Sequence, residues 1–338
     1  MPKPKITIKG EIVLEALQQF PETPTQTLAK MIYRDNKKIF LHQESVRGLI
    51  RYYRGQSGKS HRKYIANKEH LSKPGSISPF EALPKGIESL ETPKFRVLKH
   101  EKSLVISDLH IQCHNEQALF AALEYGYKNK VNAVIILGDL NDFYGISTFN
   151  KNPYERDLLN ELQVTHKILA IMRKGFPNSR IYIKQGNHED RLRRFYMVKC
   201  PELLGIPYFD YKFLLGCDKH KIDLIDSSTI VKIGNLNLLH GHEFGRSFGS
   251  AVSPARSLYL KTKSNCLQAH HHRASEYSER DLNGNKVTCY SIGCMCSLRP
   301  DWKPINQWEH GFALVELIDS ETGDFAVQNK TIQNGRVF

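Results

Sequence analysis

Chemistry-bearing groups in this chain fall in five short clusters: Asp108-Leu109-His110, Gly138-Asp139 with Asp142 three residues on, Gly186-Asn187-His188-Glu189-Asp190, His240-Gly241-His242, and His270-His271-His272. Asp and Asn offer hard oxygen ligands and His a borderline nitrogen ligand, so the set needs no cysteine and suits Mn, Fe or Zn. Such a set suits a site of two metal ions. On this reading Asn187 is a metal ligand, and His188 is an acid or charge stabiliser beside it. A local reading competes: Gly-Asn is a good turn, and Glu189 and Asp190 could cap the helix that follows.

The surrounding residues favour the first reading. "KSLVISD", "VNAVIILGD", "IYIKQGN", "LNLLH" and "CLQAH" are each an apolar or partly apolar run that stops at Asp, Asn or His. Such runs predict strands, and in an α/β sheet active sites gather outside the carboxyl ends of the strands. Segments distant in sequence then converge in space.

The remaining features set bounds. A chain of 338 residues with 40% hydrophobic residues has room for a large core and more than one domain. It has no apolar run of the roughly 18 residues that would mark a membrane span. The start, "MPKPKITIKGEIVLEALQQF", has no secretory h-region. Seven cysteines, an odd number, do not form a disulfide framework and place the chain in a reducing cytoplasm. Cys266, Cys289, Cys294 and Cys296 raise the alternative of a four-cysteine zinc site, but two CxxC pairs are lacking and buried thiols are expected.

Charge is uneven. The net charge is +13, and residues 1–100 carry 19 Lys+Arg against 9 Asp+Glu, an excess of 10. This predicts a basic module that meets a polyanion. Helices are expected at "EIVLEALQQF", with Val13, Leu17 and Phe20 inward, after the Thr23-Pro24 start signal, and at "QESVRGLIRYYRG". In the last, Val46, Leu49, Ile50 and Tyr53 make the apolar stripe, and Arg47, Arg51 and Arg54 share another face suited to phosphates. Residues 1–65 are thus expected to be a helix-turn-helix-like module, 66–101 a Pro/Gly/Ser-rich linker, and 102–338 the catalytic domain. "GQSGKS" is not a phosphate-binding loop, because Tyr53 stands where that loop needs its first Gly.

Taken in order, D-x-H, G-D-x-x-D, G-N-H-E, H-G-H and a closing H-x-H resemble the calcineurin-like metallophosphoesterase superfamily over residues 102–338. The basic helical front beside this domain is also similar to phosphoesterases of phages and other mobile elements, whose setting would be the cytoplasm of an infected bacterium. The resemblance implies an α/β fold, a β-sandwich flanked by helices, with two divalent ions: manganese foremost, with iron, zinc or nickel also suited. One ion would take Asp108, His110, Asp139 and His272. The other would share Asp139 and add Asn187, His240 and His270. His188 would stand near the leaving oxygen, oriented by Asp142. The last motif carries Ala269 where Gly is usual. The arginines of the protein Ser/Thr phosphatases are replaced by Phe143 and Gln185, which argues against protein dephosphorylation.

For substrate contacts, Arg191 and Arg193 of "EDRLRRF" and the extra His271 are candidates, with Arg194 and His242 nearby. Arg299, Trp302 and Trp308 behind the last histidines suit a stacked base. The expected activity is a dimetal phosphodiesterase or nuclease on nucleic acid or nucleotides, with no membrane partner. The alternatives are a phosphomonoesterase on a small metabolite and an inactive DNA-binding protein.

Overall fold

A computed structural model describes residues 6–57, 84, 86, 94–148, 157–244 and 252–338. The chain divides into two units, Met1–Ser89 and Leu90–Phe338. Among the described residues, no helix is long and apolar enough to cross a membrane.

The first unit has three helices, α1 (Ile8–Gln19), α2 (Thr25–Asp35) and α3 (Gln43–Tyr53). Thr7 caps α1 by accepting from the Gly10 N–H. The apolar stripes close a small core of Val13, Leu17, Leu28, Ala29, Ile32, Phe40, Val46 and Ile50, with Leu49 and Tyr53 against it. Two expectations shift. Phe20 ends α1 as its C-cap and is exposed, and α2 starts one residue later than predicted, with Pro24 as N-cap.

A larger correction concerns Arg54. It is buried, and its guanidinium donates to Pro21 O, Thr23 O and Thr25 Oγ1. At the C-cap of α3, the Arg54 side chain folds back and staples the α1–α2 turn. The arginine face therefore retains Arg47, which is paired with Glu44, and the exposed Arg51. The basic stretch from residue 58 on and most of the expected linker lie outside the described residues. The end of that linker is a strand, β1 (Phe95–Leu98), which pairs in parallel with β6 (Ile230–Ile233).

In the second unit two sheets face each other. One runs β1, β6, β7 (Leu236–Leu238), β8 (Cys266–Gln268), β10 (Lys286–Ser291), β9 (Ser275–Arg280). The other runs β13 (Arg336–Val337), β12 (Phe325–Gln333), β11 (His310–Leu317), β2 (Lys102–Ile106), β3 (Ala133–Leu137), β4 (Arg180–Lys184), β5 (Ile222–Ile225). Alternation along the strands builds two cores. Val105, Ala133, Ile135 and Leu137 meet Val231, Ile233, Leu238, Leu267 and Ile292 between the sheets. Leu104, Ile106, Val134 and Ile136 turn outward, into a core with α4 (Glu116–Lys128) and α5 (Leu158–Gly175).

Burial on both faces explains the unbroken apolar runs of β2 and β3. α6 (Asp190–Lys199) follows β4, and short α7 (Tyr211–Leu214) and α8 (Cys217–His220) lead into β5. α9 (Pro254–Thr262) covers the outer face of β8 and β10, over the buried Cys266 and Cys289. The observed architecture is the expected α/β sandwich flanked by helices.

Candidate metal centre

Parallel pairing of β2, β3 and β4 brings their carboxyl ends to one edge of the sandwich. Asp108 follows β2, Asp139 follows β3 and Asn187 follows β4, while β7 and β8 of the facing sheet lead to His240 and to His270 and His272. The loops are stitched together by main-chain bonds, from Asp108 N to Gly138 O (3.1 Å) and from His110 N to Asp139 O (3.0 Å). Asp108, His110, Asp139, His270 and His272 all have positive φ, between 44° and 66°. Such conformations are costly for residues with a side chain and collect at functional sites. At Gly138, with φ 101°, a Cβ would collide with the His240 ring, and at Gly186 with the Asp139 carboxylate. The glycines of two motifs are therefore needed for close approach.

The side chains converge. Donor atoms of Asp108, His110 and Asp139 lie within 4.8 Å of one another, as do those of Asp139, His240 and His270. Asp139 belongs to both groups. His240 Nε2 is 3.2 Å from Asp139 Oδ2 and 3.2 Å from Asn187 Oδ1. His272 Nε2 is 3.2 Å from Asp108 Oδ1 and 3.3 Å from His110 Nε2. His240 Nδ1 donates to Leu137 O at 2.8 Å, which leaves its Nε2 facing the other ligands. Every metal ligand expected from the sequence is in this cluster.

The donor set fits cations. Asp108 Oδ1 is buried and accepts no hydrogen bond, though three imidazoles converge on it. Burial alone would raise the carboxyls of Asp108 and Asp139, but the facing histidines, His272 for Asp108 and His240 for Asp139, hold both well below the usual carboxylate range. Burial would likewise lower His240 and His272, yet Asp139 and Asp108 raise each to about 10. The two buried carboxylates thus demand positive charge, and divalent ions would supply it in place of these protons. His270 falls to about 3 and His271 to about 4, both chiefly through burial.

His188 stands at the rim. Its Nδ1 is 2.9 Å from Asp142 Oδ1, and Asp142 Oδ1 also lies 3.5 Å from His110 Nδ1. Its Nε2 accepts from Arg191 Nη2 at 3.0 Å. A guanidinium only donates, so the ring carries its proton on Nδ1. Arg191 also donates to Asp142 O at 2.8 Å. It meets His188 at Nε2 and is not among the residues that line the cleft above the ligands. Arg193 lines a different cavity, beside Tyr196 and Asp210, because α6 begins at Asp190 and turns it that way. Neither arginine is among the residues lining the cleft where the sequence suggested substrate contacts. His271 does line the cleft.

Some contributors were not identified from the sequence. Glu189 accepts from the N–H groups of Gly186 (2.6 Å), Asp139 (3.1 Å) and Asn141 (3.0 Å), tying the β3 and β4 loops together. It was expected, at most, to cap a helix. Glu161 does similar work, accepting from Asn141 Nδ2 and Phe143 N, and burial raises it to about 7. The Cys296 thiol sits 3.6 Å from His272 Nδ1, where a carbonyl or carboxylate is more usual.

Lys184, fully buried at the end of β4, pairs with Glu243 at 2.8 Å and donates to Ser227 O. Glu243 in turn accepts from His240 N and Gly241 N. Burial would raise Glu243, but Lys184 and His242 bring it down to about 2. Lys184→Met should therefore leave a buried carboxylate without its cation and cost about 3 kcal/mol or more of stability. Urea denaturation checks this. An unchanged midpoint would mean that the pair does not hold the His240 loop.

The calcineurin-like phosphoesterase family model matches residues 102–303. No curated protein matches the chain. Solved structures with a similar course include Vacuolar Protein Sorting 29 from Cryptosporidium parvum, at 14% identity and TM-score 0.39, covering 71% of this chain and 95% of that one. The phosphoesterase Yfce from E. coli gives 14% and 0.33, covering 67% and 98%. A dimetal phosphatase from Danio rerio gives 12% and 0.34, covering 68% and 95%. The family match spans more than half of the chain and takes in all the motif residues of the cluster, and on that ground the chain belongs to the calcineurin-like phosphoesterase family and is a metal-dependent phosphoesterase.

Proposed function

We propose that this phosphoesterase is a phosphodiesterase acting on nucleic acid or nucleotides. The observation that carries the reading is charge: of a net +13, an excess of 8 (16 Lys+Arg against 8 Asp+Glu) falls in residues 1–89, the first unit, outside the phosphoesterase domain. A polyanionic substrate uses such an excess, and a small metabolite does not. Phe143, where protein phosphatases carry an arginine, is fully buried in the core, so that position offers no charge to a phosphoprotein. The seven free thiols suit a reducing cytoplasm.

Asp108, His110, Asp139 and His272 would hold one ion, and Asp139, Asn187, His240 and His270 the other. When bound, two divalent ions, manganese foremost, would polarise the phosphoryl oxygens and furnish hydroxide at neutral pH. The chain's own residues do the rest. Asp139 Oδ1 accepts from the His188 N–H at 2.9 Å, fixing the acid's loop to the ligand loop. His188 would keep Nδ1 on Asp142, give up the Arg191 contact at Nε2 and take up there a proton from water, and the Asp142 carboxylate would stabilise the imidazolium. That proton passes to the leaving oxygen as its bond to phosphorus breaks, while the oxygen of water ends on phosphorus. One phosphodiester and one water become an alcohol and a phosphomonoester.

The test incubates manganese-loaded protein with end-labelled single- and double-stranded DNA and RNA, alongside bis-p-nitrophenyl phosphate and p-nitrophenyl phosphate. Shortened products and faster turnover of the diester are expected. Turnover of the monoester alone would overturn the reading in favour of a phosphomonoesterase.

In the first unit, Arg47 and Arg51 present the charge on α3, in the manner of a helix-turn-helix module laid against phosphates. Reversing both to Glu should flatten the salt dependence of nucleic-acid binding, by about 0.9 in the log–log slope per lost contact on duplex DNA or about 0.7 on single strands. Turnover of bis-p-nitrophenyl phosphate should not change, since that ester needs no helix. Unaltered binding at every salt concentration would leave the arginines as plain surface.

A further inference from the structure

The cleft over the ligands encloses about 480 Å³ and is open on one side. Its floor is His110, Asp139, His188, His270 and His272. One wall is the segment between β10 and β11, and it holds both tryptophans of the chain, Trp302 and Trp308. Trp308 lies against the ligand itself, its ring 4.1 Å from that of His272. Trp302 meets Trp308 edge to face at 5.6 Å, and Lys303 Nζ sits 5.4 Å from the Trp308 ring.

This wall is built and does not belong to a core. Asn306 Nδ2 donates to Leu298 O and Lys303 O, Asn306 Oδ1 accepts from Trp308 N, and Lys303 N bonds Pro300 O. Trp302, so held, is 70% exposed. Apart from its edge contact with Trp308, an aromatic of that size facing water buries little of its surface, so core packing does not account for it. Arg299 and Lys303 border the same wall.

An anion-binding floor, an open aromatic face and flanking cations match one kind of molecule: an aromatic base carried on a phosphate. We infer that Trp302, backed by Trp308, is a base-stacking platform that makes a nucleoside phosphate diester with an unpaired base the substrate of this centre. The inference rests on the phosphodiesterase reading and deepens it by naming what lies next to the scissile phosphate. Stacking tolerates any base, so the platform selects nucleotides over other diesters without reading sequence. A base already paired in a duplex cannot reach it.

Because the chain has no other tryptophan, tryptophan emission, excited beyond the absorption of tyrosine, reports this wall alone. Thymidine 5′-monophosphate should quench the emission, and ribose 5-phosphate, which has no base, should not. Trp302→Ala should abolish the quenching, and Trp302→Phe should keep most of the binding.

In turnover, wild type should favour thymidine 5′-p-nitrophenyl phosphate over methyl p-nitrophenyl phosphate. Trp302→Ala should lower kcat/KM for the first by about 10-fold or more, the worth of one stacked base, and spare the second. Oligothymidylate separates the two sources of the base. Equal weakening of the oligomer and the ester points to single strands, and cleavage of the ester alone points to free nucleotides.

A variant that loses both esters equally, or neither, overturns the platform. So does wild-type emission that ignores thymidine 5′-monophosphate. If loaded wild type cleaves no diester while the nucleotide still quenches, the phosphodiesterase reading fails and the base site stands.

Discussion

Asp139→Asn should give a folded protein with neither its metals nor its turnover. The carboxylate belongs to both donor groups, with Oδ2 3.2 Å from His240 Nε2 and 3.8 Å from His110 Nε2. Asparagine keeps the shape, and its oxygen can still accept from the His188 N–H, so the loop should survive. It removes the charge that both ions would share, and an amide N–H turned toward the imidazoles would donate where a lone pair is needed. Loss of occupancy at both positions should bring turnover to background. Metal content and circular dichroism measured on one sample check this. Full metal content with wild-type turnover would remove Asp139 from its place between the ions.

His188→Ala is expected to behave differently. The side chain lies beside the cluster, with Nε2 3.8 Å from Asp139 Oδ2 and Nδ1 on Asp142. Both ions should stay bound, and the chemical step should slow by roughly 10²–10⁴-fold, the usual contribution of a placed acid. An ester with a very good leaving group needs no proton and should lose much less. A series of aryl diesters of rising leaving-group pKa gives the answer as a slope. It should be steeper in the variant than in wild type, and an equal loss along the whole series would deny the acid role.

The convergence of these side chains was legible because their segments follow strands, and apolar runs that stop at Asp, Asn or His survive in sequence as a local pattern. Its supports were not, since their partners are distant. Glu189 bonds Asp139 and Asn141, about 50 positions earlier, and Lys184 meets Glu243 across the two sheets. A buried lysine closing "IYIK" was the available signal: such a charge needs a partner.

Helical periodicity failed at its ends. Arg54 fits the i, i+4, i+7 spacing with Arg47 and Arg51, but its long side chain turns back to acceptors at Pro21, Thr23 and Thr25, which spacing does not reveal. Strand β1 went unseen because three of its four residues are exposed and no apolar run marks it. Trp302 and Trp308 were visible as residues, but only exposure and ring contacts separate a platform from a core.

The central claim is that this cluster holds two metal ions and that they are required for diester hydrolysis. Its most direct test is to strip the protein with a chelator, titrate manganese back, and follow bound metal and bis-p-nitrophenyl phosphate turnover together. Turnover should be absent from the stripped protein and should rise to its plateau as the second equivalent binds. Full activity in the stripped protein, or a plateau with no metal bound, would contradict it.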